Sequence, residues 1–393
     1  MANQVIFRGR GDDSMYDEYM SLINRSFEFN CEDGGFLSLL PKLYKPEYNP
    51  CASNYVIREE DGNLKAAVGA YDDIYHVCDI TLKCRGIGNV AVIHEARSRG
   101  YMRDLMNDAV EDMIADGVDF TALGGRRIRY QYFSYEPAGA EYHFRFASHD
   151  IAHRFGKRPV KLTFREITDP SDSALSAICA LHDDQNMYCE REGNIRFFDV
   201  AKTWHRTLTA IYNGVRFIGY AIHSGDTVTE LILSGEKYIE DFVCDFMHHH
   251  QLNSMMVMVP CCKTKMASRM TDFCDSMSLH NNASYSVFNY KRVIEAFLTL
   301  KSCSSWLEDG KAVLLIHGKA RDEYLRILVR DGSVKVEDVD ASCAYDEPPE
   351  FELTHTEAMN FLFGAVSPLR EIAATPLRTW LPIPLYMYNA DEV

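Results

Sequence analysis

An apolar run, Val90-Ala91-Val92-Ile93, passes into a basic turn, Arg97-Ser98-Arg99-Gly100, and the turn opens a long amphipathic segment at Tyr101. No other stretch narrows the choice of folds as far. Leu105, Met106, Val110 and Met113 recur at helical spacing, with Asp104, Asp108, Glu111 and Asp112 between them. The pattern stops before Gly117, and Gly117-Val118-Asp119 turns into an apolar strand, Phe120-Thr121-Ala122-Leu123. The order is strand, glycine turn, helix, strand, which predicts an α/β (α+β) fold. A helix N-terminus offers unpaired backbone N–H groups and positive dipole, so this turn can hold a pyrophosphate. Gly100 lets the backbone come close with no Cβ in the way. Arg97, Arg99 and Arg103 add positive charge.

A chain of 393 residues holds about three domains. The element pattern divides it at 1–155, 156–292 and 293–393. The first block carries strands at Tyr55-Val56-Ile57-Arg58 and Ala66-Ala67-Val68-Gly69-Ala70 before the unit just described. The second repeats the order of elements loosely. A helix follows Pro170-Ser171-Asp172, a hairpin turns at Asn213-Gly214, a helix runs from Tyr238 to His250, and Met255 to Val259 reads as a strand. It has no basic glycine turn before its helix at Tyr238. The third block reads as a helix from Val293 to Leu300, strands around Ala312-Ile316 and Tyr324-Val329, and a helix after Thr354 with Glu357 in its first turn.

The net charge of −16 disfavours a grip on nucleic acid or on an anionic membrane, and it attracts cationic small molecules or basic segments. No apolar run approaches the ~20 residues of a membrane span. There is no apolar leader at the N-terminus, and the 12 cysteines form no CxxC pair, so free thiols in the cytoplasm are expected. His248-His249-His250 and Cys261-Cys262 could hold zinc, but a solvated helix end is the reading carried forward, and no metal is expected.

Arg97-Ser98-Arg99-Gly100-Tyr101-Met102 resembles the acetyl-CoA motif of the GNAT acetyltransferases, [RQ]-x-x-G-x-[GA], with Met102 in place of the final small residue. The segment from Gly124-Gly125-Arg126 through Tyr130-Gln131-Tyr132-Phe133-Ser134-Tyr135-Glu136-Pro137-Ala138 is similar to that of the Eis (enhanced intracellular survival) N-acetyltransferases, G-G-x(n)-Y-x-x-F-G-Y-x-P-A, with Ser134 for the usual Gly. The resemblance implies two tandem GNAT-like domains, the second without a cofactor site, and a last domain like sterol carrier protein 2. It also implies a hexamer.

By this resemblance acetyl-CoA lies against the Val90, Ala91 and Val92 backbone, the turn Arg97, Ser98, Arg99, Gly100, Tyr101, Met102 and Arg103, and Gly125 and Arg126. Tyr130 falls on the catalytic Tyr, donating a proton to the leaving thiolate. Tyr132 and Tyr135 are its neighbours and are expected to pack in the core. The family's base is the terminal carboxylate, here that of Val393, and Glu392 matches an acidic position contacting the acceptor amine. The segment up to Tyr388 is apolar and aromatic, as a docked chain end would be. Glu28 falls near the substrate pocket, and with His94 and His143 it is another candidate base. The expected activity is acetyl-CoA-dependent N-acetylation of a cationic acceptor of aminoglycoside, polyamine or lysine type. The alternative is a non-catalytic lipid- or partner-binding protein using the last domain.

Overall fold

The computed structural model describes residues 4–28, 34–340, 347–366 and 369–393. Three sheets organise them. The first runs Val5–Arg10, Asn54–Glu59, Leu64–Val77, Ile80–Val92, Phe120–Leu123, Ala283–Val287, Glu136–Ala138, and Met187–Cys189 pairs with Leu64–Val77 off this path. The second runs Ser276–His280, Glu141–Ala147, Ser254–Pro260, Thr227–Leu233, Arg216–Ser224, Thr207–Asn213, Leu162–Ile167. The third has Ser333–Asp338, Asp322–Arg330, Gly310–His317 and Phe351–Thr354. The fold is the mixed α/β class expected, and its strands are mostly antiparallel. No helix among the described residues is long and apolar enough to cross a membrane.

The first two sheets exchange strands. Glu141–Ala147 leaves the first block and pairs between Ser254–Pro260 and Ser276–His280. Ala283–Val287 returns from the second block and sits between Phe120–Leu123 and Glu136–Ala138. The boundary expected at 155/156 therefore does not divide the sheets. Strand pairing is a non-local choice that periodicity does not report, and this accounts for the difference.

The strand Ile80–Val92 does most to place the site. It pairs in parallel with Phe120–Leu123 only as far as Ile87 opposite Leu123. On its other edge Asn89 and Val90 together oppose Val68, a β-bulge, with Asn89 at φ +50°. Asn tolerates that left-handed conformation better than most side chains. Its amide is anchored, because Asn89 Nδ2 donates to Tyr19 Oη at 2.7 Å and also to Tyr44 Oη. Beyond the bulge, no described strand pairs with Val90–Val92 on the Phe120 side, and of these residues Val92 accepts through its carbonyl from Arg97 Nε at 3.4 Å.

The third sheet carries the helices Tyr290–Ser302 and His355–Phe363. The second of these starts with a full capping box, Thr354 and Glu357. His355 ties this block to the first. Its Nε2 donates to Ser134 O at 2.9 Å, and its Nδ1 accepts from Tyr290 Oη at 3.0 Å. Burial pushes the imidazole down to about 4. The unfolded chain, with an ordinary His near 6.5, then binds more protons between those two values, so stability rises with pH across the window and is lost as pH falls through it. We expect denaturant unfolding at pH 4.5 and pH 7 to show roughly 2–3 kcal/mol of this slope, absent in His355→Gln. An unchanged slope would remove His355 from the account.

The chain end is core, not tail. Trp380, Ile383, Leu385, Tyr386, Met387, Tyr388 and Ala390 are each at most 2% exposed. Each large side chain of this kind contributes roughly 1.5–3 kcal/mol by leaving water. The segment starts beside the third block, where Ile383 N donates to Leu362 O at 2.8 Å. It passes the strand exchange, where Met387 N meets Asn282 Oδ1 at 3.0 Å and Tyr386 Oη meets Glu141 at 3.1 Å. It ends on the first sheet.

Candidate active site

A cavity of about 770 Å³ opens where the first sheet splays. Val90, Ala91 and Val92 form one wall. Arg97, Ser98, Gly100, Tyr101, Met102 and Arg103 form the turn and helix start at one end. Ser26 and Phe27, at the end of helix Tyr16–Ser26, and Arg129, Tyr132 and Phe133 complete it. Ser98 and Gly100 have φ of +65° and +87°, so the backbone curls left-handed before helix Tyr101–Ala115 begins. A Cβ at Gly100 would meet only the Arg103 side chain, at 3.3 Å, so it is the dihedral, not the space, that calls for glycine.

Nine of the expected cofactor contacts thus line one cavity, and three do not. Arg99 turns away. It forms an ion pair with the buried Glu59 and donates to Glu95 O at 2.9 Å, while Tyr101 Oη donates to Glu59 Oε1 at 2.7 Å. A buried carboxylate needs such partners, and it takes the arginine that spacing alone had offered to a phosphate. Gly125 and Arg126 are exposed and outside the cavity. Gly125 instead backs the ring of Tyr130, since a Cβ there would lie 2.5 Å from the ring's Cε2.

Tyr130 ends the short helix Arg127–Tyr130 and is 6% exposed. Burial pushes its phenol up, and a hydrogen bond from Arg129 works against this. It therefore stays protonated at neutral pH. Arg129, not singled out in the sequence, touches both the phenol and the cavity. Its cue would have been its place immediately before the family's Tyr. Tyr135 is wholly buried, with its hydroxyl 3.0 Å from Thr121 Oγ1, as a core residue should be. Tyr132 was expected in the core; it is 69% exposed and stands on the cavity wall.

Val393 lies on the strand that leads into this cavity. A Cβ on Gly86 would come within 2.7 Å of a Val393 methyl, and one on Gly88 within 3.3 Å of its carboxyl carbon. Two glycines therefore clear the room for a chain end two residues before the splayed wall. Glu392 is held largely out of water, which together with Glu141 pushes its carboxyl up to about 7, and its Oε1 has no hydrogen-bond partner. Asp73, beside Lys42, Asp391 and Val393 in a small cleft, is also pushed up to about 7 by burial. Glu28 follows Phe27 but is exposed, and His94 is exposed as well. His143 sits in the second sheet, bonded to Glu141 at 2.8 Å and stacked on His280. None of these three lines the cavity. Among the described residues no group of three or more His, Cys, Asp or Glu could hold a metal ion.

Residues 10–142 match the family described as acetyltransferase (GNAT) domain. They are a GNAT acetyltransferase domain. Acetyl transfer is the chemistry of that family. No curated protein matches the chain in sequence. Solved structures share its fold over nearly the whole length. A conserved protein of unknown function from Enterococcus faecalis V583, a probable N-acyltransferase, is 13% identical, with 98% of each chain covered and a TM-score of 0.67. A GCN5-related N-acetyltransferase from Anabaena variabilis is 11% identical, with 98% of each covered and a TM-score of 0.66. Eis1 from Mycobacterium abscessus is 12% identical, with 100% of each covered and a TM-score of 0.60.

Proposed function

We propose that this acetyltransferase moves the acetyl group of acetyl-CoA onto the amine of a cationic acceptor, of aminoglycoside, polyamine or lysine type. The carrying observation is the seat of Val393, on Gly86 and Gly88 of the strand whose next residues line the cavity. In this reading the pantetheine arm lies along Val90–Val92, and the pyrophosphate lies at the Arg97–Arg103 turn. The amine nitrogen attacks the thioester carbon and the C–S bond breaks. The Tyr130 proton goes to the departing sulfur, and the amine's proton goes to the Val393 carboxylate. Backbone N–H groups of the splayed strand polarise the carbonyl.

The acidic surroundings of Val393 support a cationic acceptor. Asp72, Asp73, Glu190 and Asp391 share its cleft with Lys42 and Arg196, an excess of carboxylates over cations, and Glu392 precedes it. The Eis resemblance adds three further parts to the proposal: a hexamer, a cytoplasmic setting, and a last domain of sterol-carrier-protein-2 type over 293–393. The deciding experiment is acetyl-CoA consumption across polyamines, lysine peptides and aminoglycosides. Release of CoA with none of these amines would sink the acceptor class.

Gly100 gives a separate handle on the cofactor end. Any L-residue there meets a left-handed φ of +87°, at a cost of roughly 1–2 kcal/mol, or else reshapes the turn. Calorimetry should show Gly100→Val binding acetyl-CoA at least about tenfold more weakly, that cost read as affinity, with the fold retained. Unchanged affinity, or two cofactors per chain, would move the pyrophosphate away from this turn.

A further inference from the structure

Buried cations from two other parts of the fold hold the last residues before the terminus. Lys42, 2% exposed, donates through Nζ to Ala390 O and to Glu392 O, each at 2.7 Å. Arg206 donates to Asn389 O at 3.0 Å. Arg191, with no exposed side-chain surface, bonds Asp391 at 2.8 and 2.9 Å and Glu230 at 3.1 and 2.8 Å. Residues 389 to 392 are thus gripped by Lys42 from the first block and by two arginines from the second.

Stability does not call for this arrangement. The apolar side chains from Ile383 to Ala390 already bury the segment. Replacing buried ionic groups by apolar ones of similar volume is often neutral or stabilising. Burial of Lys42 lowers its ammonium to about 8, with Asp73 and Asp391 working against the loss, so keeping a cation there is unfavourable in itself. Apolar packing, however, is non-directional, whereas hydrogen bonds set an orientation. Glu392 O belongs to the last peptide bond of the chain. The terminal carboxylate lies one Cα beyond it, so fixing that carbonyl fixes the plane from which the carboxylate projects toward Gly88.

We propose that Lys42 is a positioning residue for acetyl transfer, orienting the Val393 carboxylate by holding the carbonyls of Ala390 and Glu392. This rests on the reading of Val393 as the base. Arg191 and Arg206 lock the approach, and Lys42 sets the final direction.

The test is a double-mutant cycle in the full chain. Lys42→Met, which keeps the stem and removes the donor, should lower kcat about 100-fold, the cost of a displacement near 1 Å at a reacting group. KM for acetyl-CoA should stay within about twofold, because the cofactor cavity is untouched. In a chain lacking Glu392 and Val393, which ends instead at Asp391, the same substitution should add less than about a twofold loss, since no carboxylate remains at position 393 to be oriented. Lys42→Gln retains an N–H donor and should keep part of the rate. A full loss repeated in the shortened chain would show a merely structural role and overturn the proposal. So would a normal kcat in full-length Lys42→Met. Where Lys42→Met does not fold, Lys42→Gln enters the same cycle, and additivity there overturns the proposal equally. A shortened chain that turns over normally would instead remove the role of Val393, a distinct failure.

Discussion

A short extension beyond Val393 is expected to lower kcat by roughly 10²–10⁴, the range for a lost proton-transfer group, while acetyl-CoA still binds. An extension turns the terminal carboxylate into an amide, which carries no charge and is too weak a base. It also needs room, and a Val393 methyl would already meet a Cβ on Gly86 at 2.7 Å. Deleting Glu392 and Val393 should act alike. The proton balance is demanding, because a free carboxylate has a pKa of about 3.5 and an amine about 10. A neutral minority of the amine can bind and lose its proton only as the C–N bond forms, with the carboxylate holding the nascent cation. A desolvated setting narrows the remaining gap. Val393 is not among the residues that line the cofactor cavity, so acetyl-CoA affinity separates this effect from unfolding. An N-terminal tag of the same length is the control and should be harmless. If the extended protein turns over as fast as the native one, the base must be sought elsewhere. Asp73 comes first, beside Val393 with its carboxyl pushed up to about 7, ahead of the exposed Glu28 and His94.

What could be read from the sequence was what local chemistry writes down. Helix Tyr101–Ala115 appears in its apolar spacing, the Asn213-Gly214 turn joins Thr207–Asn213 to Arg216–Ser224, and Thr354 with Glu357 caps a helix as expected. Each is settled within a few residues. The misses are long-range. Arg99 looked like a phosphate ligand because its partner, Glu59, lies 40 positions away. The exchange of Glu141–Ala147 for Ala283–Val287 depends on edges that meet only in the folded chain. A shorter-range limit is length: Arg127–Tyr130 is a single helical turn and Gln131–Phe133 a 3-10 turn, both too short to show a period. Lys42 left a faint trace, because a lysine between Leu39-Leu40-Pro41 and Leu43-Tyr44 stands in an apolar run, where a surface residue is out of place.

Tyr130→Phe should separate chemistry from binding. The substitution keeps the ring that packs on Gly125 and removes only the proton donor. Burial holds the Tyr130 phenol above its ordinary value, so it enters the reaction protonated. A thiolate leaving group, whose conjugate acid lies below that value, takes the proton only as the C–S bond breaks and charge builds on sulfur. The loss should then be roughly 10²–10⁴ in kcat, with acetyl-CoA affinity within about twofold. Tyr135→Phe serves as the contrast. Its hydroxyl meets Thr121 Oγ1 at 3.0 Å, and Thr121 can still donate to Arg85 O at 2.5 Å once that hydroxyl is gone. The expected cost is about 1 kcal/mol of stability and little rate. Tyr132→Phe, exposed on the cavity wall, should change acetyl-CoA affinity more than kcat. The reverse pattern, with Tyr130→Phe near wild type and Tyr132→Phe or Tyr135→Phe inactive, would put the acid on a different tyrosine. Arg129 gives the finer control. Its hydrogen bond lowers a phenol that burial raises, so Arg129→Met should lift the Tyr130 phenol further. A weaker acid transfers its proton less readily, so kcat should fall in that variant even though the donor itself is intact.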